Sequence, residues 1–96
     1  MEQDFLQLAS TFGRDFRELK SAAQGIVDRT NPDDPASVDE AVFEAGRFVE
    51  TRCRQGGATM LFQASKPARE RERLSRALVR FVLGSIESKR RTGEAN

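Results

Sequence analysis

Along residues 3–29, apolar side chains return every three or four positions: Phe5, Leu8, Ala9, Phe12, Phe16, Leu19, Ala23, Ile26 and Val27. At 100° per residue they fall within about 60° of one line, and Gln7, Arg14, Glu18, Ser21 and Asp28 take the far side. The pattern predicts an amphipathic helix. Phe5, Phe12, Leu19 and Ile26 recur every seven residues, a seam suited to near-parallel packing along a partner helix. Gly25 is a poor helix former near the end of this stretch and a candidate point of fraying.

The run Thr30-Asn31-Pro32-Asp33-Asp34-Pro35-Ala36-Ser37 joins turn formers to two prolines, which stops one helix and starts another. Two starts compete for the second helix. Asp34 before Pro35 suits an N-cap and first helical position, and Ser37 with Glu40 offers a capping box. Its apolar face is Val38, Ala41, Val42, Ala45, Phe48, Val49 and Cys53, and Gly56-Gly57 close it as a glycine cap over the stretch 35–55. Phe43 falls off that face. Residues 58–64 are apolar but too short to show a period, and a short helix or an irregular connector both fit. Lys66-Pro67 opens a third helix near Ser65 to Pro67, predicted to run over 66–88 with Leu74, Ala77, Leu78, Phe81, Val82 and Ser85 inside. Residues 89–96 lack an apolar anchor and are expected to form a mobile basic tail on a single helical domain of residues 1–88. Three amphipathic helices with short connections predict a small all-α three-helix bundle, with a helical hairpin that dimerises as the alternative.

Composition narrows the chemistry. The chain is 38% hydrophobic and 32% charged, within the range of folded domains and outside that of disordered ones. It has no His, which removes the usual base for a serine or cysteine nucleophile and the commonest metal ligand. With one Cys, no internal disulfide forms and no zinc set can be assembled. Cys53 lies between Arg52 and Arg54, cations that would activate a thiol, yet its phase with Ala45 and Val49 makes it a small core residue. Gly56-Gly57 stand without the Lys-Ser/Thr of a phosphate loop, and no calcium-loop pattern surrounds Asp33-Asp34. No enzyme, cofactor, metal or small-molecule substrate is therefore expected. MEQDF carries acids where a signal peptide needs bases, and no apolar run reaches membrane length, so the expectation is cytoplasmic with no membrane partner.

Charge, by contrast, is unevenly spread. Residues 1–50 hold eleven acids against five bases, a net −6, and residues 51–96 hold eleven bases against four acids, a net +7. Such halves neutralise each other within the fold, pair between copies, or present the basic half to an anionic partner. On the third helix Arg69, Arg73, Arg76 and Arg80 lie within about 60° of one another and opposite the Leu74, Leu78 and Phe81 face. The row spans roughly 16 Å of helix axis, comparable with several backbone phosphates, and Lys89, Arg90 and Arg91 prolong it into the tail. Two structural explanations compete: local pairs of Glu72 with Arg76 and of Glu70 with Arg73, or coverage by Asp39, Glu40, Glu44 and Glu50 from the acidic half. Phe43, set among Asp39, Glu40 and Arg47, is a candidate partner contact or an edge of the core.

The leading expectation is a non-enzymatic interaction module or subunit of a larger assembly, docking on a protein partner or on itself, with Phe43 and Arg47 at the contact. The alternative is sequence-independent binding of RNA or DNA backbone through Arg69, Arg73, Arg76, Arg80, Lys89, Arg90 and Arg91. In size, helicity and basic surface the chain resembles small non-catalytic subunits of nucleoprotein complexes, and equally small helical adaptors and secretion chaperones, a likeness of architecture without a shared motif.

Overall fold

The computed structural model describes residues 2–55 and 67–95, and the side chains of 15–55 and 67–92. Three helices follow one another: α1 (Glu2–Arg29), α2 (Pro35–Gln55) and α3 (Ala68–Ala95). They form a three-helix bundle in which α3 packs along both others, while α1 and α2 meet over a shorter stretch. The expected connector over 58–64, the Gly56-Gly57 cap and Ser65 lie outside the described residues.

Between α1 and α2 the turn is built from side-chain caps. Asn31 Oδ1 accepts from Asp33 N at 3.0 Å and Asn31 O accepts from Asp34 N at 3.1 Å, the local turn that asparagine favours. Of the two candidate starts for α2, Asp34 is the one used. Its Oδ1 accepts from Ala36 N at 3.1 Å and its carbonyl accepts from Val38 N at 3.1 Å, with Pro35 in the first helical position. Ser37 Oγ instead accepts from Asn31 N at 2.9 Å, closing the turn from the other side.

Two packing patterns fill the core. On α2 the buried residues are Ala41, Ala45, Val49 and Cys53, and on α3 they are Leu74, Leu78, Val82 and Ile86. Both sets are four residues apart, the ridge spacing used when two helices interdigitate. Small residues on α2 against large ones on α3 let the two axes come close. Phe16, Leu19, Ala23, Ile26 and Val27 on α1 are buried, as the apolar face expected from the sequence has them, and Thr30 just beyond the helix end continues their line at a step of four from Ile26. Ile86, absent from the expected inner face of α3, is 4% exposed, and Ser85 is only half-buried. The four-residue ridge drifts around the helix, and that drift carries Ile86 inward by its fourth member.

Helix α3 does not stop at residue 88. It continues through Lys89 to Ala95, where a separate tail was expected. Charged residues favour continuation when acids and bases fall three or four apart, and Glu87 pairs with Arg90 at 2.8 Å and with Arg91 at 3.8 Å. No described helix is long and apolar enough to cross a membrane.

Candidate functional site

Between α2 and the end of α1 lies an open groove of about 600 Å³. Ile26 and Thr30 of α1 and Ala41, Phe43, Phe48 and Thr51 of α2 line it, and Glu40, Glu44, Arg29 and Arg47 stand around it. It exists because α1 and α2 are held apart by α3, which packs on both. Phe43 is 63% exposed, the more exposed of the two large apolar side chains, with Leu83, that the described surface leaves to solvent. Arg47, one turn on, places its guanidinium carbon 5.4 Å from the Phe43 ring centroid, a cation–π stack that holds the ring on the surface. Phe43 does not close the edge of the core. Arg29 Nη2 donates to Glu44 Oε1 at 3.1 Å across the groove, and Glu40 has no ion pair among the described residues.

One wall of that groove is the C-terminus of α1, where the carbonyls of Gly25, Ile26, Val27 and Asp28 each have a donor. Arg29 Nε donates to Gly25 O at 3.0 Å, Thr30 Oγ1 to Ile26 O at 2.7 Å, and Thr30 N to Val27 O at 3.1 Å. Lys89 then reaches over from α3. Its Nζ donates to Thr30 O at 2.9 Å, Val27 O at 3.1 Å and Asp28 O at 3.3 Å. An ammonium at the negative end of a helix satisfies groups that otherwise lack a partner. Gly25 accordingly sits inside an unbroken helix.

The basic residues of α3 therefore divide. Lys89 is committed to α1, whereas Arg90 and Arg91 stand beside Glu87 of their own helix, so within residues 89–91 it is Lys89 that fastens the fold. The Arg90 hydrogen bond holds the Glu87 carboxyl below its usual range, against an opposing effect of burial, and the charges of Arg90 and Arg91 add to the lowering. Arg69, Arg73, Arg76 and Arg80 are all exposed on the outer face of α3. Arg76 Nη2 meets Glu72 Oε1 at 3.4 Å with both side chains open to water, a pair worth little. Arg69, Arg73 and Arg80 make no ion pair or hydrogen bond among the described residues, so the expected Glu70–Arg73 pair is not formed.

Nor do the acids of α2 cover the stripe. Glu44 is taken by Arg29 and Glu50 by Arg71, whose Nε donates at 2.8 Å. Arg52 donates to Glu18 at 2.6 Å, and this bond raises its guanidinium further above its ordinary value, against an opposing effect of burial. The two halves of the chain thus neutralise each other through residues beside the seams, and leave the outer row of α3 alone. Cys53 is buried at 2% exposure and belongs to the core.

The chain matches no known protein family, no curated protein and no solved structure.

Proposed function

We propose that the protein is a non-enzymatic interaction module that docks one helix of a protein partner in the groove between α2 and the end of α1. The observation that carries this reading is the exposed Phe43 ring, stacked under Arg47 and facing a groove with Ile26 and Phe48 in its wall. The lining of α2 from Ser37 to Thr51 covers about 21 Å of axis, near four helical turns. A groove of that length with apolar walls and charged edges suits an amphipathic helix that anchors through residues at helical spacing. Its occupant carries a large apolar side chain to seat between Phe43 and Phe48 and a base to meet Glu40. An aromatic ring pre-set on a surface contributes contact area with little loss of side-chain freedom on binding.

Affinity purification with the wild-type chain and a Phe43→Asp variant tests this, followed by direct titration of the captured partner. Phe43→Asp is expected to weaken binding at least tenfold while the melting temperature stays within a degree or two, because the ring is already exposed. A partner retained equally by both chains would contradict the groove as the docking site.

A further inference from the structure

We infer that the outer face of α3 is a second binding surface, separate from the groove, and that it takes the phosphate backbone of double-stranded DNA without regard to sequence. Four arginines stand in one row there, at steps of four, three and four residues, and all four are exposed. Three of them have no ion pair or hydrogen bond among the described residues, and the fourth holds only a solvent-exposed glutamate. Glu72 beside the row meets only Arg76, and acids farther off are engaged elsewhere: Glu50 binds Arg71, and Glu87 binds Arg90 and Arg91. Guanidinium is the side chain best matched to phosphate oxygen, since its planar fork donates two parallel hydrogen bonds.

Shape selects the form of nucleic acid. The row lies on the outer face of α3, opposite the buried Leu78. A helix about 10–12 Å across fits the roughly 12 Å major groove of B-form DNA, with backbones on either side of it. The corresponding groove of double-stranded RNA is too narrow to admit side chains. Single strands are held chiefly by stacking on aromatic rings, and no ring shares the outer face of α3: Phe81 is turned toward the core. Arginine also pairs with the guanine edge, but a row of one residue type without the Asn or Gln that reads adenine has phosphate as its general contact, which positions a protein without regard to sequence.

Fluorescence anisotropy with a labelled 16-base-pair duplex of random sequence, at salt from 50 to 200 mM, tests the inference. Three to four neutralised phosphates give a slope of log affinity against log salt of about −2.7 to −3.6, a loss of about 40- to 150-fold over that range. Duplex DNA is expected to bind at least tenfold more tightly than a single strand or double-stranded RNA of equal length. Arg73→Glu together with Arg76→Glu abolishes binding, the milder pair Arg69→Gln and Arg73→Gln reduces both affinity and slope, and Arg90→Gln with Arg91→Gln leaves the slope unchanged. Circular dichroism on each variant keeps loss of binding apart from loss of fold. Absence of binding at 50 mM salt, equal binding by the Arg73→Glu, Arg76→Glu chain, or tighter binding to poly-glutamate than to DNA would overturn it; the last result would make the row a contact for an acidic protein. Phe43→Asp is expected to bind duplex as wild type does, so failure of the groove and failure of the row are read separately.

Discussion

The two ends of α3 carry the same kind of charge and put it to different uses. Toward its start, Arg69, Arg73 and Arg80 point away from the bundle and touch no acid among the described residues. Toward its end, Lys89 turns inward onto three carbonyls of α1, and Arg90 and Arg91 lean on Glu87. Helical phase and the neighbouring helix make the difference. Lys89 lies three residues beyond Ile86, the last member of the core ridge, and reaches the open carbonyls of α1, whereas Arg69, Arg73 and Arg80 lie about half a turn round from that ridge. A count of basic residues would merge a fastening with a free surface.

The largest effect on stability follows from the fastening. Lys89→Met keeps length and apolar stem but removes all three donors, leaving carbonyls of Val27, Asp28 and Thr30 less well satisfied. It is expected to cost about 1–3 kcal/mol in urea unfolding, and to do so without altering the salt slope of DNA binding. A cost below 0.5 kcal/mol would mean that water replaces the ammonium at no loss, and the contrast between the ends would shrink.

A gain of about 0.5–1 kcal/mol is expected from Gly25→Ala, measured in the same way. Nothing lies within 4 Å of the position a Cβ would take, and the residue is helical, so the substitution removes freedom from the unfolded chain without a clash. Because Lys89 secures the end of α1, the gain belongs to a helix already formed; no gain would show that this turn is frayed in solution. Smaller still is the effect of Arg73→Gln with Arg80→Gln. Having no partners to lose, the pair should shift stability by under about 0.5 kcal/mol, and a larger loss would reveal contacts that tie the outer row to the fold.

The finest distinction is protonic. Glu87 is expected to titrate below an ordinary glutamate in a carbon-detected NMR titration, because Arg90 donates to its charged form. A carboxyl lowered in the folded state favours folding above its unfolded pKa, and that contribution fades as pH falls through the folded value. Arg90→Gln with Arg91→Gln should return it toward the usual range. An unchanged titration would place both arginines in solvent, as free as the outer row.

Much of this arrangement was legible in the chain itself. Asp34-Pro35 marked the start of α2, and the three- and four-residue recurrence from Phe16 to Ile26 marked the buried seam of α1, because both signals are local. The outer row of arginines was legible for the same reason: phase on one helix fixes which residues share a face. Lys89 was not. Its partners are some sixty residues away in α1, and a lysine one turn beyond the last apolar residue reads as a tail until α1 is in place. Ile86 was missed because a ridge of four-residue steps drifts out of the stripe drawn through Leu74, Leu78 and Phe81. The groove could not be read either, since its walls come from two helices brought together by packing, although Phe43 was visible as off the apolar face of α2, beside Arg47.

The claim that one end of α3 is free for an anion while the other is spent on the fold is tested most directly by an NMR titration of the isotope-labelled protein with a short DNA duplex. Shifts in the arginine side-chain and backbone amide signals are expected to concentrate between Arg69 and Leu83, with Lys89, Arg90, Arg91 and the groove residues Phe43 and Phe48 unmoved. Shifts centred on residues 89–91 or on the groove, or no shifts at low salt, would contradict it.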